Sequence, residues 1–321
     1  MRYQIADCIV EYEPIYEFLK KKMESYRFDG DAKTQITLTM TEELCIQKQA
    51  EQSHLTLEEC EYIFVGLEFY RKLLLQGGMM IHASAVEVDG RVYLFSADSG
   101  TGKSTHTKQW QKYFGTERAL IINDDKPAVR KEADGWVVYG TPFSGKTDEQ
   151  LNRKGKLQGI CMLGRGKTNE IRRMEPQEAV LLLMRQTLVP RRQEMAERLL
   201  EMLDELFKEV PVYQMRCTIS ECAAKMAYER RRNMRIKNGF FMREVAGKYV
   251  VVPVGAQTNE FKGMIQMNQT GAFLWKALER DLTEEALTER MLDQYEMTEE
   301  QAKNDVHTFV TRLLEAGILE V

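Results

Sequence analysis

The segment that most restricts this chain lies at residues 97–105, where A-D-S-G-T-G-K-S-T follows the apolar run R-V-Y-L-F-S and precedes a stretch of helical character at 105–114. Apart from Ala97 in the first position, it matches G-x-x-x-x-G-K-[ST] in the strand, loop and helix setting that the pattern requires. Gly100 and Gly102 let backbone N–H groups turn inward on an anion, and Lys103 adds a point charge. The helix that follows directs its positive dipole end to the same place. Ser99, Gly100, Thr101, Gly102, Lys103, Ser104 and Thr105 therefore form the predicted cradle for nucleotide phosphates, with the Ser104 hydroxyl suited to Mg²⁺. A glycine-rich turn with a surface lysine is the structural alternative.

The surrounding elements decide the fold class. Residues 79–88 and 91–96 flank Asp89-Gly90, a strong hairpin signal, and further strands are predicted at 3–10, 36–40, 119–122, 135–140 and 158–163. A helix opens at Thr56 with Glu59 in capping-box spacing, places Cys60, Ile63, Phe64, Leu67 and Leu74 on one face, and stops at Gly77-Gly78. Two more amphipathic helices are expected at 176–188 and 191–207, the second turning Met195, Leu199, Met202, Leu203 and Leu206 inward. Strands and helices interleaved around such a loop argue an α/β core.

A basic run at Arg230, Arg231, Arg232, Arg235 and Lys237 marks the predicted boundary between a first domain, 1–237, and a second, 238–321. Residues 1–78 are an extension or subdomain of the first, open in role: lid, interface or added sheet. The second begins with a hairpin, F-F-M-R-E-V and K-Y-V-V-V-P-V around Gly247-Lys248, followed by helices at 268–278, 283–295 and 298–316. That is an α+β, winged-helix-like module, read as a recognition unit or as a structural appendage.

Asp124 and Asp125 close the short apolar run A-L-I-I-N, 21 residues beyond Lys103. Two adjacent carboxylates repel, so a cation or a proton must offset them. If this strand neighbours the one leading into the loop, one acid is placed to accept a hydroxyl proton and the other to meet Mg²⁺. A polar turn, I-N-D-D-K-P, is the alternative.

The order I-H-A-S-A (81–85), S-G-T-G-K-S-T, N-D-D and G-T-P-F-S-G-K (140–146) resembles the catalytic core of the HPr serine kinase/phosphorylase family, specifically over 78–165 and loosely to about 228. The resemblance implies a P-loop kinase fold with ATP and Mg²⁺. It also implies Asp124 as base, Asp125 as magnesium ligand together with Ser104, His82 as a neighbour tuning the base, and Lys146 as a second cation near the transferred phosphate. The chain departs from that family at Thr105, where an acid usually follows the loop serine, and it lacks the long glycine-rich segment of the phosphorolytic reaction. Phosphorylase activity is not predicted. The hairpin, N-x-T-G-A-x-L-W (268–275) and final G-I-L of the second domain resemble the PqqD family, which implies recognition of the leader segment of ribosomally made peptides.

The expectation is a kinase for a Ser or Thr hydroxyl on a precursor peptide or small protein. A nucleotide-gated recognition subunit, or a kinase for a small molecule, is the alternative. Forty-five Lys and Arg against 49 Asp and Glu, a net charge of −4, argue against nucleic acid as a partner. No apolar run approaches the roughly 20 residues of a membrane span, and acids at Asp7, Glu11 and Glu13 sit where a signal peptide would be apolar. A cytoplasmic protein with six reduced, mostly buried cysteines is predicted, and no membrane partner. A homo-oligomer stays open.

Overall fold

The computed structural model describes residues 1–145, 147–230, 234–255, 263–280 and 282–320. Its contacts divide it into two compact units, Met1–Met226 and Ala227–Val321. The division falls ahead of residue 237, where the basic run had suggested a boundary; Arg231 and Arg232 of that run lie outside the described residues.

In chain order the first unit holds β1 (Arg2–Ile5), β2 (Cys8–Glu11), α1 (Glu17–Met23), β3 (Ile36–Thr37), α2 (Glu42–Glu51) and α3 (Leu57–Leu75). Next come β4 (Gly78–Met80), β5 (Ala83–Val88), β6 (Arg91–Ser96), α4 (Lys103–Phe114), β7 (Ala119–Asn123), β8 (Ala128–Glu132) and β9 (Gly135–Tyr139). The unit closes with β10 (Lys154–Arg165), β11 (Glu170–Arg173), α5 (Pro176–Met184), α6 (Gln193–Glu209) and β12 (Val212–Cys217). A mixed sheet runs in the order β4-β8-β9-β10-β6-β5-β7, and β10 is long enough to continue past β9 into a parallel pairing with β12. Strands β6, β10 and β12 are parallel to one another.

The central strands are apolar on both faces because both are covered. Tyr93 and Phe95 of β6 meet Trp110 of α4, with ring centroids 4.8 and 5.3 Å away. The alternate residues Val92 and Leu94 join Leu199, Leu203 and Leu206 of α6 in the main core. The predicted inward face of α6 is therefore the one that packs, with Met195 and Met202 at its margin.

Five features differ from the sequence reading. Residues 3–10 form two strands, not one, because Ala6 and Asp7 turn through positive φ of 51° and 54°. Residues 79–88 split into β4 and β5, which pair with β8 and β6 at separate places in the sheet, and the expected strand at 36–40 shortens to β3. Strand β8 escaped notice because A-V-R-K-E has no apolar alternation. Helix α3 does open on the predicted Thr56–Glu59 capping box. Its buried face includes the predicted Cys60 and Leu74 but otherwise runs through Glu61, Val65, Phe69, Tyr70 and Leu73, leaving Ile63 exposed.

That rotation follows from Glu61, a buried acid that a count of apolar residues passes over. Its carboxylate accepts from the Tyr12 hydroxyl at 2.8 Å, the Ile15 N–H at 2.6 Å and the Tyr16 N–H at 3.1 Å, tying the N-terminal segment to α3. Tyr3, Tyr12, Leu19, Met23 and Tyr26 then share a core with Ala128, Tyr139 and Phe143. Residues 1–78 are thus built into the first unit.

The second unit is a three-stranded sheet, Phe240–Val245, Lys248–Pro253 and Ile265–Met267, with helices Gln269–Ala277, Glu284–Gln294 and Glu299–Glu315. The hairpin turns at Ala246-Gly247, both at positive φ, and the third strand was not anticipated. Asn268 caps the first helix through Gly271 N–H at 2.8 Å, and Thr298 with Gln301 forms the predicted capping box on the last. Leu274, Trp275, Leu287, Met291, Val306 and Val310 make its core.

Glu61→Ala is expected to lower the unfolding free energy by about 2–4 kcal/mol, because three donors are left unsatisfied in the interior. Glu61→Gln, which keeps one acceptor, should lose less. Urea denaturation of both variants checks the order.

Candidate functional site

The site is arranged by one strand. Strand β7 pairs with β5 rather than with β6, so the condition under which the acids would lie beside the loop, direct adjacency of their strands, is not met. The outcome survives for a geometric reason. Because β5 runs antiparallel to both neighbours, β6 and β7 point the same way and end on the same edge, while β5 begins there. The loop after β6, the acids after β7 and His82 before β5 therefore meet at one cavity of about 850 Å³.

The loop occupies one wall. Gly100 and Gly102 hold φ of 78° and 121°, which glycine adopts freely, and Lys103 begins α4. The Lys103 side chain is only 8% exposed, and its ammonium donates to the Ala97 carbonyl at 3.0 Å. Burial lowers its pKa, against the opposing pull of Asp125, Asp124 and Asp98. The Arg165 guanidinium at the end of β10 donates to the Gly100 carbonyl at 2.6 Å and the Thr101 carbonyl at 3.3 Å, fixing the loop from outside.

The two acids have different surroundings. Asp124 is buried, and its oxygens accept from the Ser84 hydroxyl at 2.6 Å and the Thr147 hydroxyl at 2.7 Å. Ser84 also meets Thr107 of α4 at 3.0 Å, so a buried chain of hydroxyls connects Asp124 to the helix that carries Lys103. Asp125 is partly open. His82 Nε2 lies 3.1 Å from one oxygen, and the Lys126 ammonium pairs with the other. Burial would raise the Asp125 pKa, but the His82 hydrogen bond and the Lys126 charge prevail and hold it at about 2.

The backbone beneath the acids is fixed by Asn123, whose side-chain oxygen accepts from the N–H groups of Asp125 and Lys126 at 3.0 and 2.7 Å. Its amide donates to the Thr141 carbonyl at 3.0 Å. His82 Nδ1 is held by the Gln186 side chain at 2.9 Å, and Gln186 donates in turn to Asp98 at 3.2 Å. Gly145 is needed where it stands: at φ 73°, a Cβ would sit 2.8 Å from that of Asp125.

The opposite wall comes from the N-terminal segment. Lys22 of α1 is 4% exposed, donates to Ser144 at 3.1 Å, pairs with Asp148 and lies over the Phe18 and Tyr62 rings at 5.2 and 5.6 Å. Tyr62 accepts from the Gly145 N–H at 2.9 Å. Ser144, Gly145 and Asp148, beside the Thr147 that holds Asp124, are thereby braced by α1 and α3.

Against known families, the model of the SynChlorMet cassette protein ScmC matches residues 44–226, more than half of the chain. The chain belongs to that ScmC family. The model of Coenzyme PQQ synthesis protein D (PqqD) matches residues 249–319. Two solved structures are similar to parts of this ScmC-family chain. "TbiB1 in Complex with the TbiA(beta) Leader Peptide" is 15% identical and covers 27% of this chain and 94% of that one, with a TM-score of 0.23. The Hpr(Ser) kinase/phosphatase from Coxiella burnetii is 10% identical and covers 46% and 91%, with a TM-score of 0.28. No curated protein matches the chain. The two likenesses read from the sequence, to HPr kinases and to PqqD, recur among these matches.

Of the sequence-predicted residues, this ScmC-family chain brings His82, Ser99, Gly100, Gly102, Lys103, Ser104, Thr105, Asp124 and Asp125 to the one cavity. Thr101 faces a neighbouring pocket, and Lys146 lies outside the described residues. Sequence reasoning missed Lys22, Phe18, Tyr62, Thr147 and Gln186. Lys22 is the last of three consecutive lysines, and nothing local singles it out. Ser104 and Asp125 line the same cavity, and Asp125 has lone pairs beyond those used by His82 and Lys126. No group of three or more His, Cys, Asp or Glu suited to a metal occurs among the described residues. One hydroxyl and one carboxylate, with the remaining ligands from phosphate and water, is the sparse oxygen set that suits Mg²⁺. None of the six cysteines is in a disulfide, four of them are buried, Cys217 is partly exposed and Cys222 exposed, and no described helix is long and apolar enough to cross a membrane.

Asp125 holds its proton less tightly in the folded protein than at its ordinary value of 3.8. Its stabilising effect is therefore present above that value and disappears as pH falls toward about 2. Asp125→Asn is expected to cost about 2 kcal/mol at neutral pH. The gap from the parent should close across that acid window in urea titrations at stepped pH.

Proposed function

We propose that this chain is an ATP- and Mg²⁺-dependent kinase that phosphorylates a Ser or Thr hydroxyl on a precursor peptide or small protein. The observation that carries the reading is the cavity itself, where a buried lysine and a glycine-rich loop face a carboxylate already engaged with hydroxyl donors. Thr147 donates to Asp124 in the geometry that an acceptor hydroxyl would adopt, and a carboxylate oxygen accepts more than one donor.

In the proposed reaction the loop N–H groups and Lys103 bind the phosphates, and Asp124 orients the acceptor hydroxyl and takes its proton. The acceptor oxygen bonds to the terminal phosphorus as the bond to the bridging oxygen breaks, and ADP leaves. His82 and Lys126 keep Asp125 ionised. Ser104 and Asp125 would hold Mg²⁺, which when bound neutralises phosphate charge. Catalysis of this kind rests on positioning and electrostatics.

The PqqD-like unit supplies the second half of the reading. Its short strand Ile265–Met267 stands at a sheet edge and leads directly into helix Gln269–Ala277, which packs on that strand and on the central one. Met264 beside it is 74% exposed. An extended leader peptide adding to that edge gains main-chain hydrogen bonds, and the helix offers side-chain contacts. Tethering then raises the effective concentration of a weakly bound acceptor.

The test is transfer from γ-labelled ATP to precursor peptides encoded beside this chain, read by mass spectrometry. Asp124→Asn is expected to lower kcat by about 10²–10⁴-fold with nucleotide affinity kept, whereas Lys103→Ala should weaken both. Removing the leader from the peptide should raise the concentration needed for half-maximal rate by about 10²-fold. Peptide and ATP binding without transfer would instead assign a nucleotide-gated recognition subunit.

A further inference from the structure

Asp124 accepts two hydroxyls, one on each oxygen, and the two have different settings. Ser84 meets Oδ1 at 2.6 Å, is held by Thr107 at 3.0 Å, and is wholly buried. Thr147 meets Oδ2 at 2.7 Å from an exposed position and lines the large cavity with Lys103, Ser104 and Asp125. Ser84 is therefore closed to an entering phosphate, and Thr147 is open to one.

The chain on either side of Thr147 is shaped to present it. Gly145 and Asp148 hold positive φ of 73° and 57°, an uncommon conformation for an aspartate. The Gly145 N–H donates to the Tyr62 hydroxyl at 2.9 Å, the Asp148 carboxylate pairs with Lys22, and the Glu149 carbonyl accepts from the Asp124 N–H at 3.2 Å. The backbone is thus tied before and after Thr147, and one tie runs to the acid that its side chain touches. Lys103 lies near enough for both acids to pull on its charge. A hydroxyl 2.7 Å from a carboxylate is within the reach over which a general base removes a proton. Its placement there by the fold spares the entropy of bringing in a separate acceptor.

We propose that Thr147 is a modification site, phosphorylated by the cavity of its own chain. The inference rests on the kinase reading of that cavity and names a further acceptor for it. The Thr147 hydroxyl proton passes to Asp124 Oδ2, the Thr147 oxygen bonds to the terminal phosphorus of ATP, and the bond from that phosphorus to the bridging oxygen breaks, releasing ADP. The product is phosphothreonine, which has no proton left to donate to Asp124 and is repelled by both acids. Lys22 and Lys126 line the same cavity and supply the opposing charge.

In the experiment the full chain, without peptide, is incubated with γ-labelled ATP and Mg²⁺, digested and mapped by mass spectrometry. One phosphoryl group on Thr147 is expected, with a first-order rate constant unchanged by dilution of the protein. Thr147→Ser should still be labelled, and Thr147→Val, which keeps the shape without the hydroxyl, should not. Asp124→Asn should slow the labelling by about 10²–10⁴-fold. An affinity-tagged Asp124→Asn chain mixed with the parent should stay unlabelled, because its Thr147 faces its own cavity. Label on the tagged chain overturns reaction within one chain. A parent that phosphorylates peptide but not Thr147, or label that persists in Thr147→Val, overturns the assignment of Thr147 and leaves the kinase reading standing. ATP bound by a parent that labels neither peptide nor Thr147 overturns both.

Discussion

The candidate site depends on the insertion of β5 between β6 and β7 with its direction reversed. Had the three strands been parallel, the start of β5 would lie at the far edge of the sheet, and His82 and Ser84 would be distant from the acids. Reversal brings the carboxyl ends of two strands and the amino end of a third to one edge. Ala83 N–H donates to the Asp125 carbonyl at 3.0 Å and Ser96 donates to the His82 carbonyl at 2.8 Å, so the three strand ends are joined directly. The Asp89-Gly90 turn, with both residues at positive φ, produces that reversal.

From this edge the electrostatics follow. Adjacent carboxylates in a partly dry site repel, and the protein separates their circumstances instead of neutralising both alike. Asp124 is surrounded by hydroxyls, which stabilise charge without contributing any. Asp125 receives a histidine and a lysine. The consequence is a pair in which one acid is available to exchange hydroxyl partners while the other remains firmly ionised. Lys103, less basic than usual through burial, completes the site from a different strand end than the two acids.

What could be read in advance was what is encoded locally. The phosphate-type loop, the capping boxes at Thr56 and Thr298, and the two hairpin turns each occupy a few consecutive residues, and their chemistry is written in residue type and spacing. The acids at 124 and 125 were noticed for the same reason. Non-local features were not legible. Lys22 reaches the cavity across more than 120 residues of chain to meet Ser144. Gln186 steadies His82 from beyond the end of α5, and Glu61 rotates α3 by recruiting backbone donors of another segment. Strand β8 is half polar and shows itself only when β4 and β9 pair with it. Whether β7 neighbours β6 was open in the sequence for the same reason, since strand order is set by pairing partners that spacing does not reveal.

The N-terminal segment changes how specificity is to be understood in such a core. The loop and the acids provide general chemistry, and nothing in them selects one hydroxyl over another. The residues that face them across the cavity do differ in kind: a buried lysine beside two aromatic rings, and Ser144 and Gly145, which Lys22 and Tyr62 brace, near the Thr147 that holds Asp124. On the proposed kinase reading, an acceptor entering there would contend with Thr147 for the Asp124 oxygen and fit beside Phe18 and Tyr62. On the proposed kinase reading, selection and proton acceptance would be coupled through Thr147, whose neighbours Ser144 and Gly145 are anchored by the segment that carries no recognisable motif.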